Sequence, residues 1–291
     1  MHAEGPSDNA ASDRFAPSAL AESSREGTPD CRPRRARRGD LAAMRLFALL
    51  LALALALSGV AYWLVVSGRW IVAHPSLDNY PVQGVDVSRH QGAIDWPALA
   101  AEGIEFAYIK ATEGGDWIDP EFAANWSGAD HAGIARGAYH FFTFCRDPEE
   151  QAAHALAVAP PEPGTLPMAV DVEYSGNCSD YGTVDEVRQR LDRFMEIVTD
   201  SLGRPPVIYA VFEAYPDFVE DRYLESPVWV QNIWWEPSPP DRDWTFWQYT
   251  VTGRLSGVDA PIDINVFRGS REAFNTFVAG PDTLVAPEPD R

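Results

Sequence analysis

From Val82 to Phe267 the chain repeats one theme, and that theme leaves few folds open. Short runs rich in β-branched and aromatic residues alternate with stretches that carry helical periodicity and helix punctuation. "VQGVDVS" (82–88), "IEFAYIKAT" (104–112), "ARGAYHFF" (135–142), "LPMAVDVE" (166–173) and "PVIYA" (206–210) read as strands. Between them, 95–103 is expected to be a helix with Asp95 at the N-cap and Gly103 as its stop. Residues 119–133 are expected to be a helix capped by Asp119, with Pro120 in the first position. Residues 147–159 open on Asp147, Pro148 and Glu150, and 183–203 form a long amphipathic helix with Thr183 and Glu186 as a capping box and Gly203 as its stop. Then the rhythm changes. "VWVQNI" (228–233), "TFWQYT" (245–250) and "IDINVF" (262–267) are strand-like, but the gaps between them are short and rich in Pro, Gly and Asp, without room for full crossover helices. Eight strands, with helices between the early ones and loops between the late ones, predict an α/β fold of the modified TIM-barrel type. "SREAFNTFV" is read as a closing helix.

The segment ahead of this domain is of another kind. Residues 1–43 are rich in Ser, Ala, Pro, Asp and Arg without apolar periodicity, and are expected to be a disordered, cytoplasmic segment. "LFALLLALALALSGVAYWLVVSG", Leu46 to Gly68, then carries no charge over 23 residues, enough to span a bilayer. Arginines crowd the side before it, which predicts the N-terminus inside and the remainder outside. A signal peptide starting at Met44 is the competing reading. The length of the run and the lack of a clear A-x-A site favour an uncleaved single transmembrane helix over 44–68. Both readings export everything after residue 70, with a linker at 69–81, a barrel over 82–279 and a polar, disordered tail over 280–291.

Composition excludes some partners and suggests a compartment. With 43 acidic against 23 basic residues, a net charge of −20, the chain is not built to neutralise nucleic-acid phosphates. Cys145 and Cys178 lie in the exported part just past two predicted strands, and such a pair in an oxidising compartment is most simply a disulfide. Cys31 lies on the predicted cytoplasmic side. There is no C-x-x-C and no Cys/His cluster, so no metal or other cofactor is expected. A monomer is expected.

The strongest chemical signal is acidic. Asp86, Asp171, Glu173 and Asp263 sit near the predicted ends of strands, each among apolar neighbours, where a charge is costly unless used or paired. In such barrels chemistry gathers at the C-terminal ends of strands. Side chains repeat every two residues, so Asp171 and Glu173 point to one face about 6.5–7 Å apart along the strand. Two carboxylates that close oppose each other's ionisation, and one retains a proton near neutral pH. A protonated acid beside an ionised one suits glycoside hydrolysis. A divalent metal held by the carboxylates is the rival chemistry.

"GVDVSRHQGAIDW", "FAYIKATEGGDWIDPEFAANW", "AGIARGAYHFF", "LPMAVDVEYSGN", "PVIYA", "VWVQNI", "FWQYT" and "IDINVF" together resemble glycoside hydrolase family 25, the lysozymes or N-acetylmuramidases, over nearly the whole exported domain. The resemblance implies a (β/α)5(β)3-like barrel and cleavage of the β-1,4 bond between N-acetylmuramic acid and N-acetylglucosamine in peptidoglycan glycan strands. It implies Glu173 as general acid, Asp171 as its D-x-E partner, and Asp86 and Asp263 as the other two acids of the site. Among the routes open to such a pair, the resemblance favours attack by the substrate's own acetamido oxygen, with Asp171 holding the acetamido N–H. Tyr139, Tyr209, Gln231 and Trp235, and more weakly Gln248, are implied as substrate contacts. Neither His90 nor His140 is expected to be catalytic, and Lys110 is expected to balance the acidic rim. The apolar segment ahead of the barrel suggests a cell-bound enzyme on the outer face of the cytoplasmic membrane, with secretion as the outcome if the segment is cleaved.

Overall fold

A computed structural model of the chain describes residues 38–239 and 242–280. Most of the segment expected to be disordered, Cys31, and the tail beyond 280 lie outside the described residues. Helix α1 (Arg38–Val66) begins before the expected start at 44. Its stretch Leu41–Val65, with a mean hydropathy of 2.3, is the one helix among the described residues long and apolar enough to cross a membrane.

The second region is a closed mixed barrel of eight strands: β1 (Gln83–Val87), β2 (Ile104–Glu113), β4 (Ala135–Phe141), β5 (Ala169–Val172), β6 (Val207–Ala210), β7 (Val228–Gln231), β8 (Phe246–Gly253) and β9 (Ile262–Phe267). Pairing is parallel from β1 through β8 in the order β1-β2-β4-β5-β6-β7-β8. Strand β9 closes the ring antiparallel to both β8 and β1. Helices α2 (Trp96–Ala101), α3 (Phe122–His131), α4 (Pro148–Val158) and α5 (Val184–Leu202) follow β1, β2, β4 and β5. A single helical turn, α6 (Tyr215–Phe218), follows β6, and α7 (Arg271–Ala279) ends the domain. The gap from β7 to β8 is a parallel connection made by loop alone among its described residues.

Local chemistry accounts for most of these boundaries. Thr183 and Glu186 form a reciprocal capping box at the start of α5, and Gly203 ends it in the left-handed region at φ 68°. Asp147 accepts the Glu150 N–H at 3.0 Å to start α4. Two expectations fail for identifiable reasons. Asp119 does not cap α3; it is buried, and its carboxylate accepts the N–H of Arg89 (3.0 Å) and Glu121 (2.9 Å), tying the loop after β1 to the turn before α3. Strand β5 is shorter than 166–173, because Pro167 has no N–H for the ladder and pairing ends at Val172. Strand β2 runs past a bulge between Lys110 and Thr112 to Glu113 and pairs there with a short strand, β3 (Trp117–Ile118).

Strand alternation sorts side chains between two cores. The outward face of β4 sends His140 against α4 and α5, where its ring stacks on Phe194 at 4.9 Å and its nitrogens meet Thr112 Oγ1 (2.8 Å) and Gln151 Oε1 (3.3 Å). Burial holds this imidazole neutral, with its pKa pushed down to about 3. Inside the barrel, Phe106, Tyr108, Trp229 and Phe246 form a packed aromatic floor, with Tyr108 stacked on Trp229 at 4.9 Å and Phe106 5.2 Å from Phe246. Phe274 and Phe277 of α7 close the lower end against Phe106 and Phe246, 5.6 Å away in each case. Gly84 and Gly137 make room for this floor: a Cβ at Gly84 would lie 2.4 Å from the Phe106 ring, and one at Gly137 2.6 Å from Tyr108.

Gly84→Ala is therefore expected to lower stability by about 1–3 kcal/mol through overpacking. Adding Phe106→Leu to that variant is expected to recover part of the loss. Urea unfolding of the two single variants and the pair reads both effects.

Candidate active site

Above the aromatic floor, the interior faces of β1, β5 and β9 carry acids at the mouth. Asp86 comes two residues after Gly84 on β1, and Asp171 two after Ala169 on β5. Glu173 continues that face one step beyond the last ladder pair. Asp263 reaches the mouth in a different way. It is the second residue of β9, near that strand's N-terminal end, and it lies at the rim because β9 runs antiparallel, directly paired with Asp86. All four acids and Tyr139 line one cavity of about 460 Å³, with Lys110, Glu113 and His90 on its walls. The cavity narrows to a pit of about 90 Å³ between Asp86, Tyr139, Asp171, Glu173 and Asp263, floored by Tyr209, Trp229 and Gln248.

An amide network fixes one half of the pit. Asp86 Oδ2 accepts from Gln248 Nε2 and Asn265 Nδ2, both at 2.8 Å. Asn265 Oδ1 in turn accepts from Trp229 Nε1 at 2.8 Å. Gln248 Oε1 accepts from Gln231 Nε2 (2.8 Å) and from the Tyr209 hydroxyl (3.1 Å), and Gln231 Nε2 also reaches the Tyr209 oxygen at 3.2 Å. Asp86 and Asp263 sit directly opposite each other on β1 and β9, carboxyl facing carboxyl. Burial, then the Asp86 charge, holds Asp263 well above the usual carboxylate range. Burial also raises Asp86, against the pull of the donors from Asn265, Gln248 and Asp263.

The other half is less satisfied. Asp171 is buried, and its Oδ1 has no hydrogen-bond partner among the described residues. Burial and then the Glu173 charge push it well above its ordinary value. Glu173 is raised to about 7, first by burial and then by the charges of Asp86 and Glu213, while the Lys110 ammonium pulls it down. The expectation that mutual repulsion keeps a proton in the D-x-E pair needs one change of emphasis. The repulsion falls on Asp171, the more buried member, and desolvation is the first cause of the rise at Glu173. Lys110 bonds Glu113 at 2.8 Å and lies over the Phe141 ring at 4.8 Å.

The remaining expected residues separate. Tyr139 and Tyr209 face the pit. Gln231 reaches it through Tyr209 and Gln248 and also lines an adjoining groove of about 320 Å³ with Trp235, Phe212 and Tyr215. Trp235 lies in that groove outside the acid cavity and is 67% exposed. Cys145 and Cys178 are bonded to each other. Sequence reasoning missed Asn265 and Trp229, although each lies two residues from a named neighbour on its own strand face, Asp263 and Gln231. It also missed Glu213, which no local pattern connects to the cavity.

Comparison with known proteins converges on one family. The model described as glycosyl hydrolases family 25 matches residues 85–258. The protein YegX of Escherichia coli K12 is 36% identical over 210 residues, 69% of this chain and 75% of that protein. Lysozyme M1 of Streptomyces globisporus is 36% identical over 211 residues, 66% of this chain and 70% of that protein. The structure of a family 25 glycosyl hydrolase from Bacillus anthracis superimposes with a TM-score of 0.66 at 37% identity, covering 69% of this chain and 95% of that one.

The Glu173 shift carries a sign that stability can test. Its folded pKa, about 7, lies above the ordinary 4.5. Its stabilising contribution is then complete below the unfolded value and is lost as pH rises through the folded one. Relative to wild type, Glu173→Gln is expected to gain thermal stability between about pH 4.5 and 7 and to hold that gain above. Melting curves across this range check it; a constant difference between the two proteins would contradict the shift.

Proposed function

Because the chain belongs to glycoside hydrolase family 25, and so is a glycoside hydrolase, we propose that it is a muramidase, or lysozyme. It would hydrolyse the β-1,4 bond between N-acetylmuramic acid and N-acetylglucosamine in peptidoglycan. The observation that carries this reading is the meeting of two carboxyl groups in one pit: Glu173, its pKa raised to about 7, and Asp171, buried with an acceptor oxygen that has no partner among the described residues.

Glu173 donates its proton to the glycosidic oxygen as the C1–O bond breaks. The substrate's acetamido oxygen attacks C1 and forms a cyclic oxazoline intermediate. Asp171 accepts the acetamido N–H through Oδ1 and stabilises the positive charge that develops on the acetamido group. The Glu173 carboxylate then takes a proton from water as water opens the ring at C1, which retains the anomeric configuration and restores the acid. Asp86, held by Gln248 and Asn265 and paired with Asp263, adds negative charge that favours the protonated form of Glu173. Tyr139 and Tyr209 offer hydroxyls to the sugar, Gln231 orients Tyr209, and Trp235 presents an aromatic face for a sugar in the adjoining groove. Helix α1 tethers the enzyme to the cytoplasmic membrane with the barrel on the outer side.

Two other readings make different predictions. A non-catalytic wall-binding protein has no use for Glu173, and a carboxylate-metal hydrolase loses activity to a chelator. Among the described residues no three His, Cys, Asp or Glu side chains are grouped to hold a metal ion.

Glu173→Gln is expected to lower product release from purified peptidoglycan by about 10²–10⁴-fold, and Asp171→Asn by about 10²–10³-fold. Equal activity of wild type and Glu173→Gln would remove the catalytic assignment. EDTA is expected to leave wild-type activity unchanged. Mass analysis of products is expected to show reducing-end muramic acid; reducing-end glucosamine would overturn the bond assigned. The wild-type kcat/KM is expected to fall as pH rises past about 7, where Glu173 loses its proton.

A further inference from the structure

Glu173 lies just past the last ladder pair of β5, so strand pairing does not hold its backbone. One side chain does. Asn177 uses all four hydrogen-bonding positions of its amide. Its Nδ2 donates to the Glu173 carbonyl at 3.0 Å and to the Phe142 carbonyl, just past the end of β4, at 2.9 Å. Its Oδ1 accepts the N–H of Phe144 at 2.8 Å and of Cys178 at 3.1 Å. The intervening turn is closed by the Asn177 N–H on the Tyr174 carbonyl at 3.2 Å, with Gly176 in the left-handed region at φ 76°. The next residue, Cys178, is bonded to Cys145 in the loop between β4 and α4, and the Cys145 N–H lies 3.0 Å from Cys178 Sγ. The turn that carries Glu173 is thus joined to its neighbouring loop twice, through the Asn177 amide and through the disulfide.

We propose that Asn177, locked in place by the Cys145–Cys178 disulfide, is a positioning residue for Glu173, and that turnover depends on the oxidation state of this cysteine pair. This rests on the reading of Glu173 as proton donor. Asn177 touches no substrate. It sets where the Glu173 main chain sits and therefore where the carboxyl hangs over the pit. The disulfide restrains the same turn from the far side of Asn177. Cys145 is solvent-exposed, so a reductant can reach the bond.

The test uses the full chain in two forms, wild type and Asn177→Ala, each assayed oxidised and after treatment with dithiothreitol. Reduction breaks the S–S bond and leaves two thiols on the protein; the dithiol supplies two electrons and two protons and becomes a cyclic disulfide. Thiol titration and circular dichroism verify reduction and fold. Asn177→Ala is expected to lower kcat on peptidoglycan by about 10–100-fold, the scale of a misplacement near 1 Å, with KM within about threefold. Reduced wild type is expected to lose a smaller part of kcat, about 3–10-fold, and reduction of Asn177→Ala to add less than that, because both act through one turn. Wild-type kcat in Asn177→Ala, a loss carried by KM alone, or full kcat in reduced, folded wild type overturns the proposal. If Asn177→Ala does not fold, the reduced wild type decides. Oxidised wild type that releases no muramic-acid ends overturns the muramidase reading instead.

Discussion

In a closed barrel, every second side chain of every strand enters one shared interior, and water cannot reach its lower part. This constraint organises the whole catalytic domain. Phe106, Tyr108, Trp229 and Phe246 fill the bottom, and α7 closes it with Phe274 and Phe277. One step up the interior, on the neighbouring strands β1, β5 and β9, come Asp86, Asp171 and Asp263. The acids therefore stand on a dry aromatic layer, and desolvation is the first cause of every raised carboxyl pKa among them. Gly84 and Gly137 belong to the same device, since without their missing side chains the aromatic layer would not fit below the acids.

Burying Asp86 and Asp171 beside the half-buried Glu173 and Asp263 would be prohibitive if all were charged and unpaired. The chain deals with this unevenly. Around Asp86 it builds a braced network: two amide donors, the paired Asp263 across the strand, and an indole behind Asn265. Around Asp171 it leaves an acceptor oxygen without a donor. The braced side reads as scaffold and the unbraced side as the place where a ligand's N–H completes the bonding. That asymmetry fits the proposed division of roles between the two pairs of acids better than four equivalent carboxylates would.

Support from outside the barrel interior is concentrated behind the D-x-E strand. Strand β5 is short, and the turn after it is held by Asn177 and by the disulfide to the β4–α4 loop. Asp119 plays a comparable part on the opposite wall, fixing the loop after β1 through the Arg89 N–H. Both residues stand in segments where a sequence pattern suggests only a cap or a turn, and both act across the chain on backbone groups distant in sequence.

Alternation and helix punctuation are local properties, so they were legible in the amino-acid sequence. The strand runs, the capping box at Thr183, the barrel class, and the shared face of Asp171 and Glu173 all follow from spacing within a few residues. The order of the motifs also sufficed to recognise the family. What the tertiary structure decided involves partners far apart in the chain. The antiparallel return of β9 carries Asp263 to the rim from the start of its strand, and no pattern inside "IDINVF" reveals which way that strand runs. Which member of the acid pair bears the repulsion depends on burial, which closure of the barrel sets. Asn265 and Trp229 become part of the site only because β7, β9 and β1 bring their interior faces together. A residue's period along its strand can be read from its neighbours in sequence, but its dielectric surroundings and hydrogen-bond partners are supplied by strands that the chain reaches many residues later.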